Sequence, residues 1–307
     1  MGLLLLVIQI IRGLINLLNS HTPLVINPLI VILSFVLCMI GIIFQVAGWY
    51  SILRVMKVQI PFWKMFRGYI LTFISRYIPG TIWGYLSRSE WLKVEAQVDY
   101  SLTNTGSIFE TGLIILTNLL FSNFVLLRYS QISSGWIICI LWSLSLLIWE
   151  VLYIATNQKR ISQSVFLPKV RLSKNSIIWW LLGNIFFVFM WSTFGISLWV
   201  LCNAAYPTLF HFTLNNFLWL FSDYNTAWLA GFFTPFVPAG LGVRELVLAE
   251  LINGRNQLSF DVAEQLSIIF RLIMISSEFI WVAICLVKAR RFPITVDQKT
   301  KIITKDY

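Results

Sequence analysis

Long apolar stretches alternate with short polar ones along the chain, and five of the apolar stretches are long enough to cross a membrane. A helix needs about 20 apolar residues to span the hydrocarbon core of a bilayer. The five stretches cover residues 29–53, 102–127, 135–156, 176–202 and 262–287. A shorter apolar stretch at 2–18 is followed by no small-residue cleavage site, and we interpret it as a short first span. The pattern therefore predicts about six full transmembrane helices.

Two further segments, 68–100 and 213–252, are apolar but are interrupted by proline and glycine. Their sequences match as F-[IF]-[ST]-x-[YF]-[IV]-P-[GA] at residues 73–80 and 232–239. Proline removes a helix hydrogen bond and glycine permits a tight reversal, so each interruption is predicted to be the tip of a helical hairpin. The predicted tip residues are Pro79, Gly80, Pro238, Gly240 and Gly242.

The two interruptions lie 159 residues apart, about half of the chain, and this spacing indicates an internal repeat. The first hairpin is expected to enter and leave on the inner side of the membrane and the second on the outer side. The halves 28–156 and 176–287 would then form an inverted repeat, as in many transporters. The alternative is that the proline motif recurs by chance in two kinked helices. The predicted fold class is an all-α polytopic membrane protein, with about six full spans plus two re-entrant helical hairpins in an inverted repeat.

Basic residues are concentrated in alternate connections between the apolar stretches. Residues 54–67 and 157–175 contain four and five Lys or Arg residues and no Asp or Glu, whereas 19–27 and 203–213 contain no basic residue. Positively charged loops stay on the cytoplasmic side. We therefore expect a multi-pass protein of the plasma (inner) membrane with both termini in the cytoplasm, and a basic cytoplasmic tail at 288–307.

The composition supports a membrane protein and excludes several other classes. Apolar residues make up 58% of the chain and charged residues 12%, against about 25% charged in soluble domains. An ordinary cytosolic enzyme, a disordered chain and a nucleic-acid binder are excluded. The four cysteines lie inside apolar runs without C-x-x-C spacing, and the two histidines are far apart in sequence. No disulfide framework, metal site or cofactor is expected.

Ionisable residues inside the apolar segments are the candidate functional residues. Insertion of one charged side chain at the centre of the membrane costs about 2.5–3.5 kcal/mol of free energy. We therefore expect each of these residues to have either a pairing partner or a function. The candidates are Arg76, Arg88, Glu110, Arg244, Glu245, Arg271 and Glu278. One interpretation is structural: buried Glu–Arg pairs fasten the hairpins to neighbouring spans. The other is that these side chains, with hairpin-helix N-termini, line a groove that holds a lipid phosphate. Asp223 either faces the same groove or caps a helix near the outer surface.

Three motifs carry a resemblance to a known family. Residues 77–80 read Y-I-P-G and precede Arg88, residues 107–110 read S-I-F-E, and residues 236–245 read F-V-P-A-G-L-G-V-R-E. With these motifs the chain resembles the lysylphosphatidylglycerol synthetase transmembrane region, also called the flippase-like domain, which is the membrane half of the multiple peptide resistance factor. The resemblance extends from the second span to Val287. It departs from the family at the short first span and at the alanine of the third motif, where the family often has glycine.

The resemblance implies that residues 1–307 form a single flippase-like domain that moves lipids between leaflets and is not an enzyme. The chain ends about twenty residues after the last span, so the lysyltransferase domain of the two-domain members is expected to be missing. The residues that match the family pattern are Pro79, Arg88, Glu110, Pro238, Gly240, Gly242, Arg244, Glu245 and Arg271.

The expected cargo is an anionic phospholipid or a lipid linked to polyprenyl phosphate, in the biogenesis of cell-envelope lipids or glycans. One alternative is an integral membrane transferase acting on a lipid-linked substrate, although the sequence contains no D-x-x-x-D-type acidic cluster for a divalent metal. Another is a non-transporting partner of a membrane glycosyltransferase. A glycosyltransferase, a lipid synthase and a second copy of the chain, as a homodimer, are the further candidate partners; nucleic acid is not expected.

Overall fold

In a computed structural model of the protein, every regular element of the described residues is a helix. The structure describes residues 27–78, 83–123, 143–144, 174–207, 209–234, 237–256 and 258–291. In chain order the elements are α1 (Pro28–Val55), α2 (Phe62–Leu71), the 3-10 helix η1 (Thr72–Tyr77), α3 (Trp83–Ala96), α4 (Tyr100–Ser122), α5 (Lys174–Ala205), α6 (Leu214–Phe232), the 3-10 helix η2 (Pro238–Gly240), α7 (Val243–Asn256) and α8 (Phe260–Arg291).

Four of these helices are long and apolar enough to cross a membrane. They comprise Pro28–Val55 of α1, Tyr100–Ser122 of α4, Ser176–Ala205 of α5 and Phe260–Val287 of α8. They coincide with four of the five long apolar stretches of the sequence. The fifth stretch, the short first span and the tail beyond residue 291 lie outside the described residues, apart from 143–144. The prediction of a helical protein that crosses the membrane several times is thus confirmed, and the full number of spans stays a prediction.

The first helix shows how the sequence builds such a span. Asn27 precedes α1, and its side-chain oxygen accepts a hydrogen bond of 3.0 Å from the backbone N–H of Leu29. Pro28 occupies the first helical position, where its missing N–H leaves no helix hydrogen bond unmade. Apolar side chains then remain exposed on one side of α1, and Ile32 is 57% exposed. Such a face is suited to contact with acyl chains rather than with water.

α1 and α5 pack against each other along most of their lengths, in antiparallel directions. The hydroxyls of Ser34 and Ser197 lie 2.7 Å apart near one end of the pair. Near the other end, the hydroxyl of Ser176 donates to the backbone carbonyl of Val55 at 3.4 Å. Between them, Gly48 lies directly against an aromatic ring of α5. Small residues allow two membrane helices to approach closely, which explains why this pair has the most extensive contact among the described helices.

α4 runs parallel to α5. The rings of Phe109 and Trp180 pack edge to face with centroids 5.5 Å apart. About two turns further along α4, the hydroxyl of Thr117 accepts a hydrogen bond of 3.1 Å from the indole N–H of Trp191. In these two contacts the residue numbers rise in the same direction along α4 and α5, so the two helices are parallel. Because α5 is antiparallel to α1, α4 is antiparallel to α1 as well.

The first interrupted segment leaves α1 and reaches α4 at the same end of the bundle. Met56, which follows α1, lies beside Gly106 near the start of α4: a Cβ on that glycine would be 3.1 Å from the Met56 sulfur. Between these points the chain forms α2, η1 and α3, of which the longest has 14 residues. A helix of 14 residues is about 21 Å long, shorter than the hydrocarbon core of about 30 Å.

The second interrupted segment comprises α6, η2 and α7, between α5 and α8. α6 packs antiparallel to α4. The side-chain amide of Asn118 donates to the side-chain oxygen of Asn225 at 2.9 Å. The hydroxyl of Ser222, three residues earlier in α6, donates to the backbone carbonyl of Ser122, four residues later in α4, at 3.3 Å. Buried polar contacts of this kind fasten the segment to the spans, because the bilayer offers no competing water.

A glycine determines how closely the two arms of the first segment approach. A Cβ on Gly68 of α2 would lie 2.3 Å from the ring of Trp91 in α3. The ring is rigid, so Gly68→Ala is expected to lower the free energy of unfolding by about 1–3 kcal/mol, the usual cost of overpacking. Denaturation of the purified protein in detergent measures this change.

Gly183→Ala is the matched control for Gly68→Ala. Gly183 lies within α5, and a Cβ there would meet its nearest neighbours at an ordinary contact distance of 3.6 Å. The control is expected to be neutral or slightly stabilising, since alanine is favoured over glycine in a helix. Equal stability of the two variants would contradict the close packing of α2 on α3.

Candidate functional site

The two interrupted segments contact each other through their 3-10 helices. η1 contacts η2. Tyr77 at the end of η1 packs with Leu241, just after η2, and with Ile275 of α8 in a small apolar cluster. Val237 and Ala239 pack against the same cluster. The end of η1 and the second break are therefore in direct contact with each other.

The backbone of the second break reverses through the left-handed region. Ala239, Gly240 and Gly242 have φ values of 50°, 67° and 85°. Glycine adopts such values without a steric cost, whereas alanine does so at about 1–2 kcal/mol. Glycine would therefore fit the backbone at residue 239 better than the alanine that stands there. Pro238 opens η2, and the first tip at 79–80 lies outside the described residues.

A buried ion pair links the second arm of the first segment to the following span. The guanidinium of Arg88 in α3 bonds to the carboxylate of Glu110 in α4, and both residues are 2% exposed. The hydroxyl of Tyr69 donates to the other carboxylate oxygen at 2.5 Å. The guanidinium also lies over the rings of Tyr69 and Trp49, 4.0 and 4.7 Å from their centroids. Aromatic faces and a carboxylate together stabilise this buried cation.

A second ion pair occupies the corresponding place in the second segment. Nε of Arg271 in α8 lies 3.1 Å from Oε1 of Glu245 in α7. An Nη of the same arginine donates to the backbone carbonyl of Ala239 at 3.1 Å. The other oxygen of Glu245 accepts from the backbone N–H of Gly242 at 2.5 Å. This carboxylate therefore caps the start of α7.

The two ion pairs have opposite polarity. In the first segment the arginine is on the short arm and the glutamate on the span, as Arg88 and Glu110. In the second, the glutamate is on the arm and the arginine on the span, as Glu245 and Arg271. For these four residues the contacts match the structural interpretation of the sequence, in which Glu–Arg pairs fasten hairpin arms to spans. Each of these pairs has a net charge of zero, so any uncompensated charge at the site comes from other residues.

Arg76 and Glu278 also lie between the two segments, and both are bound by tyrosines. An Nη of Arg76 donates to the Tyr69 hydroxyl at 3.0 Å, and its guanidinium lies 4.0 Å from the centroid of Phe73. Glu278 accepts a hydrogen bond of 2.8 Å from the hydroxyl of Tyr77. A tyrosine hydroxyl is uncharged, so these hydrogen bonds neutralise neither the positive charge of Arg76 nor the negative charge of Glu278.

Arg244 is the last of the seven ionisable residues that the sequence singled out. Its guanidinium lies 5.1 Å from the ring centroid of Trp228 in α6. Within the part of the chain that the structure describes, no oppositely charged side chain lies within 4.0 Å of Arg76, Arg244 or Glu278. These three residues are thus the site's open charges, two positive and one negative.

A cavity of about 160 Å³ lies where the two segments meet. Six of the seven ionisable residues singled out in the sequence line it: Arg76, Arg88, Glu110, Arg244, Arg271 and Glu278. The seventh, Glu245, is bonded to Arg271 at the cavity wall. Aromatic residues of α5 and α6, among them Trp191 and Trp228, line it as well. The cavity thus combines charged and apolar lining residues.

Sequence reasoning missed some residues of the site. Tyr69 bridges Arg76 and Glu110, yet a tyrosine in an apolar run is indistinguishable in sequence from a packing residue. Its spacing of seven residues from Arg76 was the only available signal. Asp223 lies in the middle of α6 and is fully buried. It is not among the residues that line the cavity.

Neither metal-binding groups nor comparisons with known proteins identify the family of this chain. Within the described ranges, no group of three or more His, Cys, Asp or Glu side chains is arranged to hold a metal ion. No protein-family model, characterised protein or solved structure matches the chain. The family resemblance of the three motifs therefore stays a prediction.

Proposed function

We propose that this protein moves a lipid between the two leaflets of the plasma membrane, as a flippase or scramblase for a phospholipid or a lipid linked to polyprenyl phosphate. The single observation that carries the proposal is the central cavity, which six ionisable side chains from both halves of the chain line inside a bundle of membrane-length helices. Charged residues within a membrane bundle are retained for substrate or ion pathways. A lipid headgroup is the polar substrate that every membrane supplies.

The proposed inverted repeat of 28–156 and 176–287 is supported by matched contacts between the halves. α4 packs on α6 and α8 packs on α2, so the span after each interrupted segment contacts the first arm of the other one. α3 packs on α4 as α7 packs on α8. Antiparallel pairing of α1 and α5 is what a twofold axis in the membrane plane would produce. Transporters of this architecture bind substrate where the repeats meet.

In this mechanism the headgroup crosses through the cavity while its acyl or prenyl tails stay in the bilayer. Irregular backbone at membrane depth is tolerated where it lines a cavity, and both breaks fulfil this condition in the proposal. Arginine donors replace the water that the phosphate gives up. The basic connections 54–67 and 157–175 would lie in the cytoplasm together with both termini. A glycosyltransferase or lipid synthase could supply the lipid on one side.

A proteoliposome assay tests this function. The full chain is reconstituted with fluorescent phospholipid or fluorescent polyprenyl phosphate, and a membrane-impermeant reductant then bleaches the outer leaflet. Wild type is expected to make the inner-leaflet probe accessible, while protein-free vesicles leave it protected. The sequence has no G-x-x-x-x-G-K-[ST] loop, so the assay contains no nucleotide. Absence of movement for both probes would contradict the proposal.

Arg244→Ala is expected to slow this movement at least fivefold. The change removes an open cation of the cavity, and one charged hydrogen bond contributes about 1.5–3 kcal/mol. Arg67→Ala is the matched control, because Arg67 lies on α2 and does not line the cavity. Equal rates for wild type and Arg244→Ala would show that this residue assignment is wrong.

A further inference from the structure

We propose that Glu278 binds a proton, and that the bound proton couples the movement of an anionic lipid to the proton gradient across the membrane. The coupling rests on the proposed function, whereas the proton site rests on the position and contacts of Glu278. The other two acids of the site, Glu110 and Glu245, are paired with arginines. Within the described residues, no arginine or lysine lies within 4.0 Å of the Glu278 carboxylate. Its charge is therefore the one that no ion pair compensates.

Glu278 lies deep in a membrane-length helix and beside a space large enough for water. It precedes the end of the α8 span at Val287 by nine residues, about 13 Å along the helix axis. Its side chain is partly exposed and lines the central cavity, whose volume of about 160 Å³ has room for several water molecules. Acidic residues inside membrane bundles serve as proton relays in pumps and transporters. Protonation removes the charge of the carboxylate, and with it the cost of holding that charge in the membrane.

One tyrosine from the other half of the chain holds this carboxylate. The hydroxyl of Tyr77 in η1 donates to Oε2 of Glu278 at 2.8 Å. The Tyr77 ring stacks on Phe279 with centroids 5.9 Å apart, and it packs with Leu241 and Ile275. These contacts keep the hydroxyl at the carboxylate. A hydrogen bond to an ionised acceptor is roughly twice as strong as one to a neutral acceptor. Protonation of Glu278 therefore weakens a bond that joins the two halves of the chain.

Positively charged groups surround Glu278 without pairing with it. Its charge acts on the guanidinium groups of Arg76 in η1, Arg244 in α7 and Arg271 in α8. The thiol and phenol groups that its charge reaches, in α1, η1 and α6, are those of Cys38, Tyr77 and Tyr224. The ionisable residues that α3 and α4 add to the cavity are Tyr85, Arg88 and Glu110. The helices α2 and α5 also contact α8, and their titratable side chains lie outside the cavity lining: Lys64, Arg67, Tyr69, Lys174 and Cys202.

A proton and an anionic headgroup therefore favour each other's entry into the cavity. While Glu278 is ionised, an entering anion meets a carboxylate that already occupies the positive surroundings. Once Glu278 is protonated, the cavity has one more unit of positive charge. Linkage makes the effect reciprocal, so the headgroup strengthens proton binding by the same factor. The carboxylate takes its proton from water on the side where the lipid enters and releases it to water on the other side, as the repeats rock against each other.

The proposed inverted repeat contains this pair only once. Seven residues after the ion-pair residue of each span, α8 has Glu278 and α4 has Thr117. At the spacing of the two interruptions, the counterpart of Tyr77 is Phe236. The hydroxyl of Thr117 accepts from an indole N–H instead. The two ion pairs that fasten arms to spans occur in both halves, whereas the Tyr77–Glu278 pair does not. This difference favours a role in coupling over a role in fastening.

Infrared difference spectroscopy of the full chain in detergent tests the proton site. Wild type at acidic pH, compared with neutral pH, is expected to show the carbonyl stretching band of a protonated Glu278, and Glu278→Gln is expected to remove it. In Tyr77→Phe the same band is expected to move to higher frequency, because the carboxyl group loses its hydrogen-bond donor. Glu264→Gln is the matched control: Glu264 lies on the same helix but does not line the cavity. A spectrum that Glu278→Gln leaves unchanged would overturn the proton site.

A pH gradient across proteoliposomes tests the coupling. With one proton for each monovalent anionic lipid the transport is electroneutral, and one pH unit corresponds to a factor of about ten in concentration. Fluorescent phosphatidylglycerol is therefore expected to become about tenfold enriched in the leaflet on the alkaline side, and evenly distributed at equal pH. Protein-free vesicles under the same gradient give the background. Glu278→Gln is expected to abolish the enrichment, while Glu264→Gln retains it.

The conservative variant separates loss of the acid from loss of the fold. Glu278→Asp keeps a carboxyl group and is expected to retain the response to the gradient, whereas Glu278→Gln loses it at an unchanged melting temperature. Loss of the response in a Glu278→Asp protein that melts like wild type would overturn the coupling. Should Glu278→Gln fail to fold, the infrared band in Tyr77→Phe and the response of Glu278→Asp decide.

The two measurements distinguish this inference from the proposed function. Rapid lipid movement with an even distribution under the gradient would leave lipid translocation standing and overturn the coupling. A Glu278 band without movement of any lipid probe would overturn lipid translocation, and the coupling with it, while the proton site would stand.

Discussion

Glu110→Gln is expected to lower the free energy of unfolding by about 3–5 kcal/mol, because it leaves the buried guanidinium of Arg88 without a counter-charge. Both side chains are almost fully buried, and the hydroxyl of Tyr69 depends on the same carboxylate. Glutamine has nearly the same shape, so the loss is due to charge rather than to packing. Chemical denaturation in mixed micelles, followed by circular dichroism, measures the effect.

The double variant Arg88→Met with Glu110→Leu is the matched control for this prediction. Replacing both partners of a buried pair by apolar residues is often neutral or stabilising, since no uncompensated charge is left. The double variant is therefore expected to be at least as stable as Glu110→Gln and close to wild type. A fully stable Glu110→Gln protein would contradict a structural role for the pair.

Gly240→Ala is expected to lower the free energy of unfolding by about 2–4 kcal/mol through backbone strain and overpacking together. Gly240 has a φ of 67°, and a Cβ there would lie 2.7 Å from the backbone oxygen of Gly231, which cannot rotate away. The same Cβ would lie 2.9 Å from Nε of Arg244. The rate of lipid movement in vesicles is also expected to fall about tenfold, because a free-energy change of about 1.4 kcal/mol corresponds to a factor of ten.

Gly112→Ala is the control for Gly240→Ala. Gly112 lies within α4, and a Cβ there would meet no atom within 4 Å. This substitution is expected to stabilise the helix by about 0.5–1 kcal/mol and to leave lipid movement unchanged. Gly240→Ala with the stability and transport rate of Gly112→Ala would contradict both the tight break and the position of Arg244.

The sequence predicted the spans well because the signal for a span is local. The bilayer requires an uninterrupted apolar run of a fixed length, and α1, α4, α5 and α8 each show one. The breaks were also visible, because proline and glycine act on the backbone within a few residues.

The partners of each charge were not predictable in the same way. Arg88 and Glu110 are 22 residues apart and Glu245 and Arg271 are 26 apart, on separate helices whose rotation no sequence pattern specifies. Tyr69 and Trp228 gave no sign of a role, because an aromatic residue in an apolar run serves packing and cation binding alike.

The sequence by itself determined that this is a helical membrane protein with seven costly charges in its apolar segments, because hydropathy and charge are properties of single residues. Only the tertiary structure decided that four of these charges compensate one another while Arg76, Arg244 and Glu278 face a shared cavity without such a partner. The physical reason is that compensation requires two groups within a few ångströms, and that distance is established only when the helices pack.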